Sequence, residues 1–174
     1  TVIAQIFADA AELPVDQLTL IGPDTALTPD CGKTSASRQT FVTGRAAQKA
    51  GKALRVKLDR LSNSLGADWP GFVASMPLDA FGYAISVQET YDPPTTPLDE
   101  NGQGNPYAVY GFGAHLAEIS VDMNLGTVKV RRLIAAHDLG RTINPMLAEG
   151  QVEGGVAQGL GMALMEEYIP GRTE

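Results

Sequence analysis

Val2, Ile3, Ile6, Phe7 and Ala10 recur at spacings of one, three and four, which lays them on one face and predicts a helix that Pro14 ends. Leu18, Leu20 and Ile21 run into Gly22 and Pro23, the pattern of a short strand followed by a turn. From Asp24 to Lys33 the chain is polar and broken by Pro29 and Gly32, so a loop is expected. Thr34, Ser35 and Ser37 then introduce a long helix carried by Ala47, Ala50, Leu54, Leu58 and Leu61. Gly66, Pro70 and Pro77 punctuate the next section, after which Tyr83, Ile85 and Val87 alternate with Ala84, Ser86 and Gln88 as a strand does. The stretch from Asp92 to Pro106, rich in proline and glycine, predicts an irregular loop wrapped over a surface.

Ala117, Ile119 and Val121 alternate with polar neighbours, and after Asn124, Leu125 and Gly126 the pattern resumes with Val128 and Val130, predicting a hairpin. Its polar face is expected to set Glu118 and Asp122 against Lys129 and Arg131, a charge pairing that supports one register. A last helix is predicted from about Pro145 to Tyr168, with proline in the first turn and Val152, Val156, Leu160, Leu164 and Tyr168 at four-residue steps. The chain opens at Thr1 inside one predicted helix and closes at Glu174 just after another, so residues 1–174 are expected to be part of a domain truncated at both ends.

With 174 residues, 44% of them hydrophobic, a folded core is expected rather than disorder. A net charge of -7 argues against a nucleic-acid partner, because phosphate backbones need clustered Lys and Arg. Cys31 is the sole cysteine, so neither an intrachain disulfide nor a four-cysteine iron-sulfur site can form within the chain, and a reducing, cytoplasmic setting is expected. No apolar run is long enough to suggest a membrane span.

Chemistry has two candidate places. In the first, Lys33-Thr34-Ser35-Ala36-Ser37-Arg38-Gln39, a helix start would expose unpaired N–H groups beside hydroxyls and two cations, a setting for phosphate or another oxyanion. Spacing alone favours the simpler reading, in which Ser35 or Ser37 caps the helix. In the second, the run Glu149 to Gly161 holds glycines at 150, 154, 155, 159 and 161, each costing on the order of 1 kcal/mol in a helix. Close packing of another helix and close approach of a ligand are both ways to offset that cost. Gln151 and Gln158 add amides that donate and accept, suited to the edge of a pterin-like heterocycle. Cys31 has no histidine at a partnering spacing, which disfavours a thiol-dependent hydrolase. His115 and His137 show no metal-ligand spacing, and Gly111-Phe112-Gly113 is too short for a dinucleotide fingerprint.

These residues, taken together, resemble the large subunit of molybdenum hydroxylases of the xanthine dehydrogenase and aldehyde oxidoreductase family. The resemblance rests on Asp24-Thr25 through Thr28-Pro29, on Thr34 to Gln39 with Thr43-Gly44, and on Ala135 to Arg141, Ile143-Asn144-Pro145 and Glu149 to Gly161. It implies an α+β molybdopterin-binding domain in which long packed helices accompany mixed strands. It further implies that Ala36 lies nearest the molybdenum, that Ser37 and Gln39 bond the cofactor, that Thr34, Ser35 and Arg38 line the same wall, and that Gln151 meets the pterin. The implied cofactor is molybdopterin with molybdenum, in bacterial members often as the cytosine dinucleotide, whose pyrophosphate Lys33 and Arg38 would suit.

The implied reaction inserts water-derived oxygen into a carbon-hydrogen bond of an aldehyde or nitrogen heterocycle. The family's glutamate base is expected in a Gly-Glu-Pro-Pro context beyond Glu174, so no catalytic or metal-ligating residue is assigned within this chain. Iron-sulfur centres and FAD are implied only on partner domains or subunits, and the remainder of the large subunit and a small-molecule substrate complete the expected partners, in an oligomeric enzyme. A reading from a different class is a folded scaffold that cannot hold the cofactor alone, because half the cradle lies elsewhere.

Overall fold

The computed structural model describes residues 1–35 and 37–172. The chain is α+β and divides into two units, Thr1–Pro97 and Leu98–Glu174. In the first, helix α1 (Val2–Ala11) ends where Glu12 turns into the left-handed region at φ 54°, and Leu13 N–H closes the end on Ala8 O at 3.0 Å. The long helix α2 (Gly44–Leu65) lies against α1 at its small residues. A Cβ on Gly51 would stand 2.8 Å from both Phe7 O and Ala10 Cβ, so only glycine lets the two backbones come this close. Ala8 and Ala11, buried at this seam, are the buried hydrophobic residues among those described.

Two expected strands do not form. Leu18 N–H closes a 3-10 turn on Val15 O, and Leu20 and Ile21 are exposed without a neighbouring strand to pair them. The alternating segment at residues 83–88 likewise has no strand beside it; α2 takes the Ser86 carbonyl, and Tyr83 bonds Asp79. Lys57 Nζ donates to Ser86 O and Lys49 Nζ to Thr90 O, each at 2.7 Å, and Lys49 also pairs with Glu89 at 3.4 Å. Tyr91 meets Phe41 edge-to-face at 5.8 Å. Alternation supplies a strand's faces but not its ladder partner, and here side chains bond single backbone groups in place of a ladder. Pro70 starts a short helix, α3 (Trp69–Ser75), because proline is tolerated in a first turn.

The second unit holds a two-stranded antiparallel sheet of β1 (Phe112–Asp122) and β2 (Thr127–Asp138), longer at its open end than the alternation marked. Asp122 faces Thr127 and its carboxylate accepts the N–H groups of Asn124 and Leu125, with Gly126 at φ +67° completing the turn. A bulge then changes the charge pairing from the expected one. Ile119 faces Val130 while Glu118 faces Arg132, leaving Arg131 as the extra residue, bonded through Nε to Ser120 Oγ at 3.1 Å. Glu118 therefore pairs with Arg132, at 3.5 Å, rather than with Arg131.

Helix α4 (Pro145–Leu164) begins with Asn144 Oδ1 accepting Leu147 N–H at 3.1 Å. It ends before Tyr168: the N–H groups of Met165 and Glu166 both donate to Gly161 O, which tightens the last turn and stops it. Large apolar side chains stay in the open in both units, with Phe81 at 81%, Phe112 at 73% and Tyr110 at 70% exposure. No helix among the described residues is long and apolar enough to cross a membrane.

Candidate functional site

The hydroxyl-rich segment is not the start of an α-helix. Thr34, Ser35, Ser37 and Arg38 lie in irregular chain, and the first helical hydrogen bonds belong to a π-helical turn, Gln39–Thr43, that feeds α2. Neither Ser35 nor Ser37 caps it. Arg38 occupies the cap position without a side-chain cap bond, and Ser37 sits at φ 54°, whereas a capping serine needs extended backbone. A non-glycine residue held in the left-handed region costs on the order of 1–2 kcal/mol, so the surrounding loop must impose it.

The loop's own bonds account for that constraint. Gln39 Nε2 donates to Thr34 Oγ1 at 2.6 Å, and Gln39 Oε1 accepts from Thr43 Oγ1 at 2.5 Å, tying the loop to the π turn. Arg38 folds back to donate to Lys33 O at 3.4 Å, beside Gly32, whose N–H is held by the Asp30 carboxylate at 2.8 Å. Thr34, Ser35 and Ser37 are exposed, and Lys33 and Arg38 bring two positive charges to the same loop. Gln39 keeps one amide N–H and one carbonyl lone pair beyond these bonds. Ala36 lies outside the described residues.

The second candidate, Gln151, is on α4, and the helix separates its residues into two faces. Gln151, Gly154, Gly155 and Gln158, at i, i+3, i+4 and i+7, share one exposed face. A Cβ added to Gly150, Gly154, Gly155 or Gly159 meets no atom within 4 Å. Helix packing within the described residues therefore does not explain these glycines. Two exposed amides flank open backbone that a flat molecule could approach at van der Waals distance. The opposite face, through Pro145, Glu149, Val152 and Glu153, joins His137 and Thr142 in lining an open hollow of about 320 Å³.

The structure also joins two residues that spacing had kept apart. His115 and His137 meet with Nε2 atoms 2.8 Å apart and ring centroids 4.9 Å apart at 76°. The bulge brings this about. Continuing the Asp122–Thr127 pairing without an extra residue would put His137 opposite Phe112, on the other face from His115; the bulge shifts it opposite Gly113. A bulge leaves no mark in a hydrophobic pattern, which is why the pair could not be read from sequence. Among the described residues no group of three or more His, Cys, Asp or Glu is placed to hold a metal ion.

Comparison with known proteins gives this arrangement a family. The molybdopterin cofactor-binding domain family matches residues 1–173. The gamma subunit of the 6-hydroxypseudooxynicotine dehydrogenase complex of Paenarthrobacter nicotinovorans is 32% identical over 97% of this chain and 23% of that protein. An aldehyde oxidoreductase of Megalodesulfovibrio gigas is 30% identical over 88% of this chain and 16% of that protein. The xanthine dehydrogenase/oxidase of Felis catus is 29% identical over 98% of this chain and 13% of that protein. The chain thus spans less than a quarter of the length of each of these relatives. With nearly every residue inside the match, the chain belongs to the molybdopterin cofactor-binding domain family.

Proposed function

We propose that this chain is part of a larger molybdenum hydroxylase and supplies two contact surfaces for molybdopterin. One is Thr34, Ser35, Ala36, Ser37, Arg38 and Gln39; the other is Gln151 with its glycine neighbours. The observation that carries the proposal is the exposed Gln151-Gly154-Gly155-Gln158 face of α4, where no described residue stands within 4 Å of an added glycine Cβ. On that face the Gln151 amide would donate to and accept from the edge of a pterin, while the open glycine backbone lets a ring system lie close. On the loop, Ser35 and Ser37 offer hydroxyl donors, and Lys33 and Arg38 would meet the charge of a phosphate or of the pyrophosphate in a cytosine dinucleotide form. The donor set therefore fits the group.

Bound molybdopterin would supply the metal that accepts two electrons while water-derived oxygen enters a carbon-hydrogen bond of an aldehyde or nitrogen heterocycle. This chain's residues bind and orient the cofactor and do not move the substrate's proton. The base is assigned to the rest of the larger protein, and Glu149, Glu153, Glu166 and Glu167 are given no such role. Partner domains or subunits would carry iron-sulfur clusters and FAD, within a cytoplasmic oligomer.

The exposure of Phe81, Tyr110 and Phe112 favours a second statement about the chain by itself. Side chains of this size left open mark a surface that another polypeptide covers, so the 174 residues alone are a scaffold that binds cofactor weakly and turns over no substrate. Acid oxidation followed by pterin fluorescence, with molybdenum measured by mass spectrometry, tests both statements. Pterin and molybdenum are expected in the full-length protein and at trace levels in the isolated chain. Their absence from both preparations would overturn the assignment.

A further inference from the structure

We propose that His115 and His137 form a chelating pair for a late-transition divalent cation, with Cu2+ bound most tightly. The distance between the two ligand atoms carries the argument. Two imidazole nitrogens each about 2.0 Å from one ion and about 90° apart lie about 2.8 Å from each other, whereas a tetrahedral arrangement spreads them to about 3.3 Å. The Nε2 atoms stand 2.8 Å apart, the separation of cis ligands in square-planar or octahedral coordination. That geometry belongs to Cu2+ and Ni2+ ahead of Zn2+, in the same direction as the general affinity order of divalent ions.

The pair is built by the strands and not by chance contact of long side chains. The bulge at Arg131 puts both imidazoles on one face of the sheet, and Gly113 makes room for the second ring. A Cβ at residue 113 would lie 2.8 Å from His137 Nδ1 and 3.0 Å from its Cε1. Without an ion, one ring donates its Nε2 proton to the lone pair of the other; with an ion, both rings keep their proton on Nδ1 and present Nε2 lone pairs. Both side chains are exposed, so a small rotation of each ring turns the two lone pairs toward one point. Water fills the remaining positions. Glu149 and Glu153, which line the neighbouring hollow with His137, add negative charge that draws a cation toward the site.

Copper titration of the full chain, followed by electron paramagnetic resonance, tests the site. A Cys31→Ser background removes the exposed thiol, which would otherwise bind or reduce the probe. One Cu2+ per chain with hyperfine splitting from two imidazole nitrogens is expected, with Ni2+ weaker and Zn2+ weaker again. His115→Ala and His137→Ala should each lower affinity by at least about tenfold, since each removes the second arm of the chelate. Gly113→Ala, which keeps both imidazoles but crowds one of them, should also weaken binding. A one-nitrogen spectrum at stoichiometric copper, or an affinity unchanged in either single-histidine variant, would overturn the site. The nitrogen count in the parent chain decides the matter even if a variant unfolds.

Discussion

Helices α2 and α4 both carry glycines in their interiors, but the glycines have opposite surroundings. At Gly51 of α2 the space beyond the backbone is filled by Phe7 O and Ala10 Cβ of α1. At Gly150, Gly154, Gly155 and Gly159 of α4 it is empty to 4 Å. The same local cost, on the order of 1 kcal/mol per glycine, is offset in α2 by the close approach of a second helix. At these four positions of α4 no described residue offsets it. The proposed cofactor contact would offset it on the face that Gly154 and Gly155 share with Gln151 and Gln158, whose amides suit a group that is polar at its edge.

The contrast is sharpest where a side chain is placed on the open face. Gly154→Leu leaves the helix at least as stable, because no atom of the chain obstructs the new side chain. In the full-length protein it should displace the cofactor. A clash of about 1–3 kcal/mol corresponds to a loss of about 10–100-fold in occupancy, read as pterin and molybdenum per chain. Full occupancy in a folded Gly154→Leu protein would return this face to solvent. On α2 the direction reverses. Gly51→Ala forces a Cβ against a backbone carbonyl that cannot swing away, and should cost about 1–2 kcal/mol net of the improved helix propensity, measured by urea unfolding. A neutral result would mean that α1 and α2 separate more easily than their seam suggests.

These helices also show what the sequence made legible. The periodicity of Val2 to Ala10, of Ala47 to Leu61 and of Val152 to Leu160 located α1, α2 and α4, because apolar residues at helical spacing gather on one face. Alternation at Leu18 to Ile21 and at Tyr83 to Val87 did not yield strands, since a strand also needs a partner: Leu18 closes a turn on Val15, Tyr83 bonds Asp79, and Lys57 of α2 takes the Ser86 carbonyl. The hydroxyls and cations of residues 34–39 are the basis of the proposed loop contact. Its backbone, with the π turn and left-handed Ser37, depends on Gln39 bridging Thr34 and Thr43, a contact that residue types alone do not specify. The glycines of α4 allowed either a neighbouring helix or a ligand, and the structure places no described residue within 4 Å of a Cβ at Gly150, Gly154, Gly155 or Gly159.

Two smaller substitutions refine the contrast. Gly155→Ala, with nothing within 4 Å, should stabilise the isolated chain by about 1 kcal/mol, the full difference in helix propensity. A loss instead would place an unseen neighbour on that face. Gly44→Ala should have the smallest effect, within about 0.5 kcal/mol of zero. Its Cβ would meet Ile6 Cδ1 at 2.8 Å, but that atom is the far end of a flexible side chain, which can change rotamer where the backbone at Gly51 cannot. Gly44 continues the helical run that the π turn begins, so a propensity gain of up to about 1 kcal/mol offsets the shift of Ile6. Unfolding curves of Gly44→Ala and Gly51→Ala measured side by side therefore locate the tight part of the seam. Near-identical midpoints for Gly44→Ala and the parent chain put it at Gly51 alone, while a loss of 1 kcal/mol or more, about the lower end of overpacking costs, extends it along α1 to Ile6.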